Sequence, residues 1–219
     1  MGQGRFFVLE GVDGVGTTTH SRQLVGALCA RGIPTYWTCE PSQGAIGKLI
    51  RQFLKEPAVL TSDSLHWAEM ALLFAADRLD HLENEVKPRL RAGGIVVADR
   101  YDASSLAYQS LDGGGDKEEG MDWIRTLNRY VLRPDLVLVL DIPAELAALR
   151  RMGRNQSPEL YEREEMQRDL VSFYHQLHRH MPLDPIVYID ATGAIEETQA
   201  RIVKAVQPFL PSEGFFSFA

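Results

Sequence analysis

Short, wholly apolar runs alternate along this chain with longer stretches in which apolar residues recur every three or four positions. Phe6-Phe7-Val8-Leu9, Ile95-Val96-Val97-Ala98, Leu136-Val137-Leu138-Val139-Leu140 and Ile186-Val187-Tyr188-Ile189 are apolar throughout rather than on alternate residues. Such runs predict strands buried on both faces. Pro34 to Cys39 reads as a fifth strand of more mixed character. Between these runs, Leu24, Ala27 and Leu28 mark one helix stopped by Gly32. Ile46, Leu49, Ile50, Phe53 and Leu54 mark a second, ended by Pro57. The longest periodic stretch, 62–91, is apolar at Leu65, Leu72, Leu73, Ala76, Leu79, Leu82 and Val86, more positions than one core-facing stripe uses. That surplus predicts a homodimer built on helix 62–91. Further helices are expected over 123–132, 143–152, up to about His180, and 195–209, with 112–120 as a polar loop.

Apolar strands separated by helices predict an α/β fold, a parallel five-stranded sheet covered by helices on both faces. No repeat or long linker divides the chain, so 1–219 is expected to be one domain. Ligands in such folds lie beyond the C-terminal ends of the strands. The residues that matter for chemistry are therefore 10–19, 39–44, 99–109, 141 and 190.

Composition narrows the classes. At 219 residues the chain can bury roughly 70% of its unfolded surface, enough for one sizeable core. Lys and Arg number 23 against 30 Asp and Glu, a net charge of −7, which argues against nucleic acid as a partner. No apolar run approaches the roughly 18 residues of a membrane span, and the N-terminal residues lack a signal-peptide pattern. Cys29 and Cys39 have no metal-ligand spacing and are expected as small buried side chains in a reducing compartment. The six histidines (His20, His66, His81, His175, His178 and His180) show no metal spacing and read as surface or cleft-edge residues. A cytoplasmic protein with no membrane partner is expected.

Candidate chemistry begins at Gly11-Val12-Asp13-Gly14-Val15-Gly16-Thr17-Thr18-Thr19, between the first strand and the first helix. A glycine-rich turn there points consecutive backbone N–H groups at a phosphate. The spacing fits the phosphate-loop motif with Gly11 and Gly16 as its glycines and Thr18 as the hydroxyl for Mg²⁺, with Asp99 as a second candidate. Thr17 occupies the lysine position, so the charge normally placed at the β/γ-phosphates is missing. A tight turn that binds nothing is the alternative for this segment alone. Asp13 reads either as a turn residue or as a carboxylate facing a second substrate.

Two further stretches resemble the signatures of thymidylate kinases: Leu72-Leu73-Phe74-Ala75-Ala76-Asp77-Arg78, and Asp99-Arg100-Tyr101-Asp102-Ala103-Ser104-Ser105-Leu106-Ala107-Tyr108-Gln109. Glu10-Gly11-Val12-Asp13-Gly14 is similar to the family's loop opening and Glu40-Pro41 to its acidic-proline pair. The resemblance covers the chain from about Phe6 to Phe209. It implies a P-loop nucleotide-kinase fold with a short mobile lid at about 150–161, and phosphoryl transfer from ATP to dTMP with Mg²⁺, giving dTDP and ADP for dTTP synthesis. It implies that Gly11 to Thr19 hold the ATP phosphates. It also implies that Asp13, Phe74, Arg78, Arg100, Ser105, Tyr108 and Gln109 hold dTMP. Phe74 would stack on the base while Arg78 donates to a base carbonyl, Arg100 would clamp the monophosphate, and Tyr108 would lie beneath the deoxyribose. Arg100, Arg150, Arg154 and Asp13 would be catalytic. The absence of arginine at Gly14 and Val15 resembles the members whose catalytic arginine lies in the lid.

Two departures stand against the family pattern. Thr17 replaces the lysine, and Glu159-Leu160 stands where the lid usually carries Asp-Arg, with Arg163 three residues on. They leave open a nucleotide-binding relative with weakened or lost transfer. In the kinase reading, Arg150, Arg151 or Arg154 is expected to bring the missing charge as the lid closes. A GTP switch fits poorly, because no Asn-Lys-x-Asp guanine reader exists.

Overall fold

The computed structural model describes residues 4–55, 65–113, 117–152 and 164–210. Its sheet is all-parallel, in the order β2-β3-β1-β4-β5. The strands are β1 (Arg5–Glu10), β2 (Thr35–Cys39), β3 (Ile95–Asp99), β4 (Leu136–Asp141) and β5 (Ile186–Asp190). The helices are α1 (Thr17–Ala30), α2 (Ala45–Lys55), α3 (His66–His81), α4 (Lys87–Arg91), α5 (Asp102–Asp112), α6 (Lys117–Leu127), α7 (Ala144–Met152), α8 (Glu164–His175), α9 (Leu177–His180) and α10 (Ile195–Val206). This is the α/β arrangement, a parallel five-stranded sheet between helices, that the alternation of apolar runs and helices predicts.

The apolar runs are buried on both faces, as continuous runs require. Phe6, Phe7, Val8 and Leu9 divide between two clusters: Phe7 and Leu9 pack with α1, α5, α8 and α10, while Phe6 and Val8 pack with Leu82, Val86 and Tyr101. Each such side chain contributes about 1.5–3 kcal/mol by leaving water. The edge strand β5 is the exception, with Val187 and Tyr188 exposed.

Several boundaries differ from expectation. The stretch 62–91 is not one helix: a π-helical turn, Leu82–Val86, separates α3 from α4. Pro88 follows it, and a proline has no N–H for the carbonyl four residues back and crowds it, which a wider turn accommodates. Residues 117–120, expected as loop, open α6, whose acidic first turn (Glu118, Glu119) suits a helix N-terminus. The helix expected to run to His180 breaks at Gln176. Cys29 is exposed rather than buried, and His20 and His81 are buried rather than peripheral. Beyond Met152 the expected lid, with Arg154, Glu159, Leu160 and Arg163, lies outside the described residues.

Register brings the strand ends together. Leu9 and Cys39 both pair with Asp99, and Asp141 pairs with Asp190. Glu10, Glu40 and Arg100 therefore emerge side by side, knitted by Arg100 N–H to Leu9 O (2.9 Å) and Glu40 N–H to Asp99 O (3.1 Å).

Candidate active site

The glycine loop sits at the end of the central strand and leads into α1. Gly16 precedes that helix at φ 98°, no side chain caps it, and its first turn holds no acid. The first backbone N–H groups of α1 are thus left for an anion. Val12 and Val15 are buried and anchor the loop to the core, so the loop offers its backbone outward. Gly14, which the motif spacing leaves unassigned, is as constrained as the motif glycines. It has φ 92°, and a Cβ there would lie 2.6 Å from Ala147 O of α7.

Thr18 and Thr19 are exposed at the mouth of the loop, while Thr17 is buried. The Thr18 hydroxyl donates to Asp99 Oδ2 at 2.5 Å, and Asp99 Oδ1, also buried, has no hydrogen-bond partner among the described residues. A hydroxyl and an under-satisfied carboxylate converging beside a phosphate cradle suit a hard divalent cation that keeps most of its waters. Among the described residues no group of three or more His, Cys, Asp or Glu forms a metal cage. Phosphate oxygens and water would complete such a shell.

Arg100 is the hinge of the site. It lies in the left-handed region at φ 69°, which a non-glycine residue adopts at a cost of about 1–3 kcal/mol unless its surroundings impose it. They do: Nη1 donates to Gly11 O (2.8 Å) and Ser104 Oγ (3.1 Å), and Nη2 to Asp13 Oδ1 (2.6 Å). Its guanidinium stands 5.2 Å over the ring of buried Tyr108. The second Asp13 oxygen accepts from Gln167 Nε2 at 3.1 Å.

Arg78 is wholly buried on α3, with Nε donating to Glu40 Oε2 at 2.7 Å. Nη1 donates to Asn128 Oδ1, and Nη2 to Ser105 Oγ (2.9 Å) and Tyr101 O (3.2 Å). Four of the five guanidinium N–H groups are thus committed, leaving one for a ligand. Phe74, one turn earlier, is half-buried and belongs to neither apolar cluster. Gln109 is buried with Oε1 unpartnered among the described residues. Arg100 thus joins Asp13 to Tyr108 and Arg78 holds Ser105 on the same helix, α5, with Gln109 one turn beyond Ser105 on α5 and Phe74 one turn before Arg78 on α3. Arg150 points elsewhere, donating to Ala191 O past β5 at 3.0 Å.

The sequence places Glu10, Glu40 and Asp77 within its motifs but gives them no role, which their partners now supply. Glu10 is buried beneath the loop. Its Oε1 accepts the N–H groups of Tyr101 (2.8 Å) and Ser104 (3.2 Å), and its Oε2 accepts the hydroxyls of Ser104 (2.6 Å) and Tyr174 (3.0 Å). Burial pushes its carboxyl up to about 7, against the pull of Arg100 and these hydrogen bonds. Glu40 pairs with Arg78 and also receives His81 Nδ1 at 3.2 Å. Asp77 holds the following turn through Ser42 N–H and Oγ, both at 2.6 Å. Acids directly after buried strands were a usable signal for Glu10 and Glu40. Gln167, inside a polar helix, carried none.

The thymidylate kinase family model matches residues 9–202. This chain belongs to the thymidylate kinase family. It is 38% identical over 206 residues to the "Probable thymidylate kinase" of Thermococcus onnurineus (strain NA1), covering 92% of this chain and 97% of that protein. It is 37% identical over 209 residues to the thymidylate kinase of Synechococcus sp. (strain JA-2-3B'a(2-13)), covering 94% and 96%. It is 33% identical over 218 residues to that of Legionella pneumophila (strain Paris), again 94% and 96%. Each of these matches covers more than nine-tenths of both chains, so the family likeness is not confined to the glycine loop. No helix among the described residues is long and apolar enough to cross a membrane.

Proposed function

We propose that this family member phosphorylates dTMP with ATP, yielding dTDP and ADP, in the cytoplasm. The observation that carries the reading is the joining of two half-sites by Arg100: one arginine binds the phosphate loop through Gly11 O and Asp13 and overlies Tyr108. A monophosphate beside Tyr108 and a triphosphate on the loop would meet at that guanidinium. A phosphate oxygen of dTMP attacks the γ-phosphorus of ATP, the bond to the β-bridging oxygen breaks, and ADP leaves with the electron pair. The attacking oxygen is already ionised, so no general base is needed and catalysis is positioning plus charge neutralisation.

Thr18 and Asp99 are the residues that would hold Mg²⁺, which would supply positive charge to offset the negative charge of the ATP phosphates. Asp13 fixes Arg100, and Phe74 offers a ring face for the base. Arg78 contributes chiefly by holding Ser105 and Glu40 in place, with one N–H remaining for a base carbonyl. The deciding experiment is ADP release across a panel of monophosphates, with and without a chelator. Turnover confined to dTMP and close deoxypyrimidine analogues, and lost with the chelator, supports the kinase. Binding of ATP and dTMP without ADP release supports the nucleotide-binding alternative.

A homodimer is part of this reading. Leu65, Leu72 and Leu79 recur at seven-residue intervals at and along α3 and are exposed by 56, 51 and 40%, with Leu49 of α2 also exposed. A stripe of that spacing suits a helix–helix interface between copies. Leu72→Asp is expected to shift the light-scattering mass from a dimer to a monomer; a monomeric parent would refute the interface.

A further inference from the structure

Within the kinase reading, Thr17 is the position left unexplained, because a threonine brings no charge to the β/γ-phosphates. Among the described residues two cations bond the loop backbone. Arg100 comes from the end of β3, and its charge is already shared with the Asp13 carboxylate. The second is Arg151, in the last turn of α7, whose Nη1 donates to Asp13 O at 2.8 Å and to Gln167 Oε1 at 3.0 Å.

Three features set Arg151 apart. Its stem crosses the loop at Gly14, where a Cβ would lie 3.0 Å from Arg151 Cγ, so the bare glycine makes room for it. Both these partners are neutral, and among the described residues Arg151 has no carboxylate partner and its Nε and Nη2 make no hydrogen bond. Gln167, buried, bonds Arg151 through Oε1 and Asp13 through Nε2, so the guanidinium is held by the network that holds Arg100. Arg150, its neighbour, is bound past β5 to Ala191 O and not to the loop.

We propose that Arg151 is this chain's substitute for the loop lysine: a guanidinium docked on the Asp13 carbonyl that meets the β/γ-phosphate oxygens of ATP from the α7 side. An arginine fork can bridge two phosphate oxygens with a planar pair of N–H groups, where a lysine would meet them as a point charge. The charge is in place on the loop without any closing of a lid, contrary to the expectation that it arrives with closure.

The test uses the full chain with Arg151→Met, which keeps the stem over Gly14 and removes the charge, with Thr17→Lys, and with both together. Steady-state ADP release is measured with ATP and dTMP varied separately, alongside calorimetric binding of a non-hydrolysable ATP analogue and of dTMP. For Arg151→Met, kcat/KM for ATP falls about 100-fold or more and analogue affinity about tenfold, while dTMP affinity stays within about threefold. Thr17→Lys recovers about tenfold in the Arg151→Met background and multiplies the parent by less, since two charges serving the same oxygens do not add. Arg151→Lys, keeping charge without the fork, falls between. An Arg151→Met protein within about threefold of the parent for ATP, or a Thr17→Lys gain equal in both backgrounds, overturns the proposal. A parent inactive with every monophosphate overturns the kinase reading instead, and analogue binding still decides the role of Arg151.

Discussion

The two halves of the site are built on opposite principles. Around Arg78 every charge is matched before any ligand arrives: the guanidinium is fully buried, and Glu40, Asn128, Ser105 and the Tyr101 carbonyl receive it. Around the loop, binding rests on backbone N–H groups, exposed hydroxyls at Thr18 and Thr19, and a partly exposed arginine held, among the described residues, by neutral oxygens. A buried ion must be paired or it costs several kcal/mol, whereas a partly solvated cation can wait for its counter-ion. The first half is thus part of the fold and fixes the shape of the pocket. The second is completed by the phosphates themselves.

That contrast predicts where substitutions act on stability and where on activity. Arg78→Met leaves Glu40 buried without its principal partner and is expected to lower unfolding stability by about 3–5 kcal/mol. Arg151→Met, which takes one hydrogen bond from the buried Gln167 amide oxygen, is expected to lower it by only about 1 kcal/mol. Urea unfolding of both measures the difference, and similar losses would erase the distinction between the halves. Any activity lost on removing Arg78 therefore mixes substrate binding with a weakened fold.

Glu10 lies on the seam, and its protonation sharpens the comparison. Its carboxyl is raised from 4.5 to about 7 by burial, so the native state binds the proton more tightly than the unfolded chain. The resulting stability is full below the unfolded value and lost as pH rises through about 7, a change of at most about 3 kcal/mol. The thermal midpoint is expected to rise as pH falls from 8 to about 6. Glu10→Gln should flatten that trend, because its amide oxygen still accepts the Tyr101 and Ser104 N–H groups and its NH₂ can donate to the two hydroxyls. A midpoint that instead falls on acidification would show that Arg100 and the four hydrogen bonds outweigh burial.

The smallest effect is expected at Phe74, the part of the acceptor half that is not locked. Phe74→Ala should cost about 1–3 kcal/mol in kcat/KM for dTMP, the worth of one base stacked on an aromatic ring. Its unfolding stability should stay within about 0.5 kcal/mol, since the ring belongs to neither core cluster. A stability loss comparable to that of Arg78→Met would return Phe74 to the core.

Much of the architecture was legible in one dimension. Continuous apolar runs identified strands buried on both faces, and alternation with helices identified a parallel sheet whose ligands lie past the strand ends. The loop from Gly11 to Thr19, the Asp99-Arg100 turn and the break from motif at Thr17 were equally visible, since each is a local pattern of residue types. The π-helical turn before Pro88 was missed because the apolar spacing of 62–91 carries no trace of a widened turn. The early start of α6 was missed because glycine and acid there read as loop.

What only the tertiary structure decided is which charges share an oxygen. Glu40 and Arg78 are thirty-eight residues apart and Asp13 and Gln167 one hundred and fifty-four, separations at which no periodicity speaks. Arg150 and Arg151 are adjacent and chemically identical in sequence, yet one is bound past β5 and the other lies on the phosphate loop. Successive residues on a helix point about 100° apart, so neighbours in sequence face different surroundings. Which of those surroundings holds the phosphate cradle depends on how α7 crosses Gly14, a matter of packing between segments far apart in the chain.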